Sequence, residues 1–165
     1  MILHHLFKVK PDKAEAVYAV IVAASRQRHF YADWAVPDTV DGRFDMLVLH
    51  LALVVSRLKG EHDALRQQLV DHFCSDMDDN LRELGAGDLS VSKKVRRMAE
   101  AFQGRYSAYE AAQDHAKMTA TLERNVYAGK SHNGCEQLTK YVMAARVLLQ
   151  QKSKDEIAAG NYKFS

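Results

Sequence analysis

An acidic run, a polar notch, a histidine set among apolar residues and a block of cations are the parts of this chain able to do chemistry. The run is Asp76-Met77-Asp78-Asp79-Asn80-Leu81-Arg82-Glu83. Hard carboxylate oxygens one helical turn apart can hold magnesium, and through it a diphosphate. Asp76, Asp78 and Asp79 are the ligands such chemistry would use. It needs a second acidic motif facing the first, and no other stretch supplies one. With Met77 and Leu81 on the buried side, the aspartates read as a solvated helix face. The notch is Asp38, Asp41, Arg43 and Asp45, where a turn runs into a helix. Two accounts fit it. One is capping plus a local Arg–Asp pair, with Asp45 near the positive helix end; the other is a shaped polar edge that a partner reads.

His50 has no acid or cysteine at i±4, which predicts a core histidine hydrogen-bonded to a neighbour rather than a ligand. The other histidines show no metal spacing. Lys93, Lys94, Arg96 and Arg97, with Arg105 further along, crowd the first turns of a predicted helix. Cations at that end oppose the helix macrodipole, so local stability does not explain them. They face something negative, and two candidates are open. One is the preceding acidic helix, in a salt-bridged hairpin; the other is an acidic partner such as protein, ribosomal RNA or anionic lipid. No helix-turn-helix pattern surrounds them, which argues against DNA. There is no glycine-rich phosphate loop, GxSxG elbow, HExxH or calcium-loop spacing, so no catalytic residue, metal or cofactor is expected.

The elements that position these groups are helices. In Val36 to Leu58, Phe44, Leu47, Val48, Leu51, Val54, Val55 and Leu58 recur at helical spacing, and Met46, Leu49 and Leu53 fill the opposite face. A helix apolar on nearly all sides must be wrapped by others, which predicts a buried central helix over about 42–58. Its uncharged run from Met46 to Ser56 is 11 residues, against the roughly 20 a bilayer requires. An amphipathic lead-in, Met1 to Lys10, precedes a helix expected over about 11–28, with Pro11 in its first turn. Phe30, Tyr31 and Trp34 are expected to fold over the core. A stripe from Leu65 to Leu84 stops at Gly85 and Gly87, and the next helix is expected near Ser90 or Ser92, with Gly104 a candidate kink. Tyr109 to Tyr127 reads as a partly exposed helix. Asn133 and Glu136 fit a capping box for a last amphipathic helix reaching towards Ala159. No stretch alternates as a strand. The expected fold is all-α, a single domain over 1–165 of about six to seven helices.

Composition agrees. Apolar residues at 47% and charged residues at 27% are globular values, and 2 prolines leave room for long helices. A net charge of +2 is too small to imply nucleic acid by itself. Cys74 and Cys135 form no CxxC or zinc-type spacing, and no presequence pattern precedes the first helix. The expected location is the cytoplasm, with peripheral contact at the inner face of the cytoplasmic membrane.

Two blocks carry a resemblance. VPDTVDGRFDMLVLHLALVVSRL, with its PDT-x-DGRFD core, and FCSDMDDNLRELGAGDLSVSKKVRRMAEAFQGR together resemble the ubiquinol–cytochrome c chaperone family, with compatible spacing from about Val17 to Val126. The resemblance implies an all-α, non-enzymatic assembly factor for the cytochrome bc1 complex that binds newly made cytochrome b or its assembly partners. Mitochondrial members work with a small partner protein and associate with the ribosome near the tunnel exit. This chain looks like a bacterial, domain-only member. Its candidate partner-binding residues are Asp38, Asp41, Arg43, Asp45, Lys93, Lys94, Arg96 and Arg97. The alternatives are a magnesium–diphosphate enzyme of isoprenoid-synthase type using Asp76, Asp78 and Asp79, and a basic-patch binder of RNA, ribosome or membrane surface.

Overall fold

The helix-forming pattern resolves into eight helices among the described residues, and none of these residues is in a strand. The computed structural model describes residues 12–165, so the expected lead-in Met1 to Lys10 and Pro11 lie outside it. The helices are α1 (Lys13–Ser25), α2 (Arg28–Ala32), α3 (Val40–Arg57), α4 (Asp63–Glu83), α5 (Asp88–Ala111), α6 (His115–Val126), α7 (Asn133–Gln151) and α8 (Lys154–Ala158). Two of them, α2 and α8, are single turns of 5 residues, which is why the count exceeds the expected six to seven.

The centre is α3, as its apolar run predicts. Every residue from Asp45 to Val55 is buried, and α1, α4, α5, α6 and α7 all pack on it. Each buried Leu, Val or Met there contributes roughly 1.5–3 kcal/mol by leaving water. His50 is fully buried in this run. Its Nδ1 donates to Met46 O at 2.7 Å, as the carbonyl can only accept, and its Nε2 accepts from Tyr141 OH at 2.8 Å. Burial pulls its pKa down to about 4, so the ring is neutral at physiological pH. It is the hydrogen-bonded core histidine that the sequence implies.

The first helix stops at Ser25 rather than near 28. Tyr31 OH donates to Ser25 O at 2.8 Å, taking a carbonyl left over at the helix end. The chain turns there and α2 drives Phe30 into the core, where its ring meets Tyr141 at 5.0 Å and Trp34 at 5.4 Å. The expected aromatic cover is therefore present, and Phe30 is the ring that enters.

At the α4–α5 corner, Gly85 has φ +84 and Gly85 N and Ala86 N donate to Arg82 O and Leu81 O. This is a Schellman motif, a geometry that favours glycine. It lets α5 begin at Asp88, earlier than Ser90 or Ser92, and α5 runs unbroken through Gly104. The expected Asn133 cap is displaced as well. His132 Nδ1 accepts from Gly134 N, while Glu136 turns to His115 and Lys140. A Cβ on Gly134 would lie 1.8 Å from Trp34 O, so the start of α7 is fixed by that contact. The last helix ends at Gln151 instead of continuing to Ala159, because Ser153 and Glu156 form a capping box that opens α8.

Candidate functional site: a groove beside the buried helix

The loop into α3 is held rigidly. Thr39 Oγ1 accepts from Gly42 N at 3.1 Å and so caps the helix. A Cβ on Gly42 would stand 1.9 Å from Pro37 O, so the loop lies flat against the first turn only because residue 42 has no side chain. On the far side Tyr127 OH donates to Trp34 O at 2.9 Å.

This packing divides the polar notch. Asp38 and Arg43 pair with each other at 2.8 Å on the exposed side, the local pair expected from capping chemistry. Asp41 is exposed. Asp45 points inward, 8% exposed, with Oδ1 at 2.8 Å from Arg105 Nη2 of α5. Burial pushes the Asp45 carboxyl up to about 6, opposed by the Arg105 guanidinium and reinforced by nearby Asp41. The two groups form a buried charge pair, which offsets part of the cost of taking the carboxyl out of water.

Asp41, Asp45 and Arg105 line a groove of about 530 Å³ whose other walls are Arg97 and Met98 of α5 and Arg124 and Asn125 at the end of α6. Arg105 also lies over the Phe44 ring, 5.5 Å from its centroid. Across Val40, Phe44 and Met98 is a second hollow of about 320 Å³, reaching Met77, Leu81 and Leu84 of α4. Val40, Leu84 and the neighbouring Leu89 are 69%, 73% and 86% exposed, so large apolar side chains line or border this face.

The basic cluster is placed differently from expectation. Lys93, Lys94, Arg96 and Arg97 are all exposed, and none is in an ion pair among the described residues. The α4–α5 corner is bridged instead by Arg82 of the acidic helix itself, to Asp78 at 2.5 Å and to Asp88. Because α5 starts at Asp88, the cations sit in its second and third turns, where the macrodipole has faded. Their charge is therefore less costly than the sequence suggests. At about 100° per residue, Lys93 and Lys94 fall within about 60° of Arg97, and Arg96 about 100° away. Of the four, Arg97 lines the groove.

The acidic run disperses. Asp76 accepts from Tyr18 OH at 3.0 Å and Asp78 pairs with Arg82, while Asp79 faces solvent. Among the described residues no three His, Cys, Asp or Glu side chains converge as a metal set. No helix among them is long and apolar enough to cross a membrane. Sequence reasoning missed Arg124, Asn125 and Met98 as groove residues and did not connect Arg105 to Asp45. The spacing Arg97, Ala101, Arg105 was the readable signal, since i, i+4, i+8 puts a small residue between two arginines on one helix face.

Residues 32–164 match the family described as Ubiquinol-cytochrome C chaperone. The match extends through α7 and α8, beyond the two motif blocks. No curated protein matches the chain. Among solved structures the chain is similar to the crystal structure of the Cbp3 homolog from Brucella abortus, with 41% identity and a TM-score of 0.84 over 93% of this chain and 88% of that one. With most of its length matched by the family, and a fold built around the same two sequence blocks, this chain belongs to the ubiquinol–cytochrome c chaperone family.

Proposed function

We propose that this chain is an assembly chaperone for the cytochrome bc1 complex, acting by binding rather than by catalysis. Newly made cytochrome b or a bc1 assembly protein is the partner it holds. The observation that carries the reading is the family match over residues 32–164, backed by the likeness to the Cbp3 homolog. The face that suits the task is the one around Val40, Phe44 and Met98. It combines exposed apolar side chains with a rigid frame, as a surface that shields a client segment requires. Asp41, Asp45 and Arg97 belong to it directly, with Asp38 and Arg43 at its edge.

A second contact is favoured by Lys93, Lys94 and Arg96, exposed and in no ion pair among the described residues. They suit an anionic surface, either ribosomal RNA or the inner face of the cytoplasmic membrane, where a cytoplasmic protein would meet its client. Attraction of this kind weakens steeply with salt.

Deletion of the protein is expected to lower bc1 content, and affinity capture from respiring cells to recover cytochrome b. Normal bc1 content in a clean deletion refutes the chaperone reading.

A further inference from the structure

Arg26 and Arg28 flank the break between α1 and α2. In an unbroken helix two such residues would stand about 200° apart and face opposite ways. Here Arg26 closes α1 through its backbone N–H, Gln27 is extended at φ −62 and ψ 131, and Arg28 opens α2. Both arginines consequently line one cavity of about 350 Å³, together with Arg43 from α3, Tyr31, Ala32 and Asp38. Tyr31 is fixed there by its bond to Ser25 O, and the Arg43 guanidinium lies over its ring, 5.9 Å from the centroid. Burial raises the Tyr31 pKa; Arg43 opposes that rise, Asp38 adds to it and Arg26 opposes it, so both guanidinium charges act on the same ring. Asp38 is the acid on the lining, and Arg43 Nε already donates to it at 2.8 Å. Arg26 and Arg28 are exposed and in no ion pair among the described residues. Three arginines against one aspartate leave the cavity with a surplus of two positive charges. Gathering like charges is unfavourable in itself, and a ligand of opposite charge reverses the sign.

The donors restrict that ligand. A guanidinium donates, never accepts, and stays charged at physiological pH. Arg43 gives Nε to Asp38, and its two Nη groups remain as donors. A carboxylate has two oxygens in one plane and suits a single arginine fork. A phosphate is tetrahedral, so guanidinium groups arriving from three elements can share its oxygens. The surroundings restrict the ligand further. Arg26 and Arg43 also line the apolar hollow of about 320 Å³, with Val40, Phe44, Leu47 and Met98. Val40 and Leu84, 69% and 73% exposed, stand on its walls. The acids on that hollow, Asp76 and Glu83, belong to α4, and Asp76 already accepts from Tyr18 OH. Two cavities, one cationic and one apolar, thus meet at a shared pair of arginines. A ligand with a phosphate at one end and hydrocarbon at the other fits across them. A soluble phosphate ester would leave the apolar hollow unused, and an RNA strand would carry its charged backbone over apolar side chains.

We propose that the cavity at the α1–α2 break binds the phosphate group of an anionic phospholipid. Arg26, Arg28 and Arg43 share the phosphate oxygens, and the adjoining hollow takes the first part of an acyl chain. The site uses none of Lys93, Lys94 and Arg96, and Asp45 and Arg105 on the larger groove take no part. It goes beyond the chaperone reading and requires no client.

The test titrates the isotope-labelled full chain with dihexanoyl phosphatidylglycerol below its micellar concentration. The lipid is expected to shift the Arg26 and Arg28 Nε–H signals in NMR spectra, together with the methyl signals of Val40 and Met98. An R26E/R28E variant should keep the wild-type melting temperature, because both side chains are exposed. It should bind vesicles containing phosphatidylglycerol roughly tenfold or more weakly. A K93E/K94E variant should keep the shifts caused by the short lipid. Absent shifts, arginine shifts without the methyl shifts, or equal vesicle binding by R26E/R28E overturn the proposal. So does glycerol phosphate moving the arginine signals at the same concentration as the lipid, which would mark a site for soluble phosphate esters. Oligouridine moving them at lower concentration would assign the cavity to RNA, and loss of the shifts in K93E/K94E would assign the lipid to the basic block; either result overturns the proposal. No client enters the experiment, so its failure leaves the chaperone reading standing, and normal bc1 content in a deletion leaves the lipid site standing.

Discussion

His50 and Asp45 lie on the same buried helix and titrate in opposite senses, so removing one should expose the other in the pH dependence of stability. Burial pulls His50 from 6.5 to about 4. Its share of stability is whole above the unfolded value of 6.5 and drains as pH falls towards 4. Burial pushes Asp45 from 3.8 to about 6, so its share is whole below 3.8 and is lost as pH rises through 6. Between pH 7 and pH 5, linkage gives His50 a loss of about 2 kcal/mol and Asp45 a gain of about 1 kcal/mol. In the wild type these two contributions therefore oppose each other and largely offset over that interval. Asp45→Asn removes the compensation, and its stability should fall by about 2 kcal/mol over the same interval. The groups facing Asp45 are Arg105 on α5, Arg124 nearby on α6 and Asp41 on its own helix. Urea unfolding followed by circular dichroism at several pH values measures both curves. Any constant offset from losing the Asp45–Arg105 pair is separate from the slope. Parallel pH profiles for the two proteins would refute the assignment of opposite titrations to this helix.

Two further substitutions test the packing that shapes the site. Gly42→Ala places a methyl against the Pro37 carbonyl and should cost about 3 kcal/mol or more, whereas Gly104→Ala, with open space around it, should stabilise α5 by about 0.5–1 kcal/mol. Matching urea midpoints for the two variants would count against the close approach of the loop. Tyr141→Phe strips His50 Nε2 of its donor inside the core and should cost about 1–3 kcal/mol in the same assay. An unchanged midpoint would mean that the Tyr141–His50 bond does not contribute.

The central helix was legible because its signal is local: apolar residues at every helical position leave few alternatives to burial. The charge pair Asp38–Arg43 and the buried histidine were readable for the same reason, each depending on residues a few positions away. The break between α1 and α2 was not. No proline or glycine marks Arg26 and Gln27; the turn is set by Tyr31 reaching back to Ser25 O and by Phe30 entering the core. The start of α5 was missed because Ser90 and Ser92 are good caps, whereas Gly87, following the left-handed turn at Gly85, already sets the helix going. Arg105 was grouped with the surface cations because its sign matched theirs. Its partner Asp45 lies on another helix, and only the packing of α5 on α3 brings them together.

The groove shows the same division between local and tertiary information, and this bears on function. Asp45 alone reads as an acid near a helix start, Arg97 as one cation of a solvated block, and Asn125 as nothing in particular. Their meeting depends on α6 returning to the N-terminal end of α3, against a loop that Gly42 and Gly134 allow to lie flat. Burying a charged carboxylate is costly even when an arginine pairs it. A sequence shaped for stability alone would have an apolar side chain at residue 45, where burial pushes the carboxyl up to about 6. Instead a rigid frame sets the Asp45–Arg105 pair in a positive groove beside exposed apolar side chains. Local consistency broken at a single place is the pattern expected where a fold binds something. The entrance of α3 is thus more than a cap: it fixes one wall of the surface where a client segment would lie.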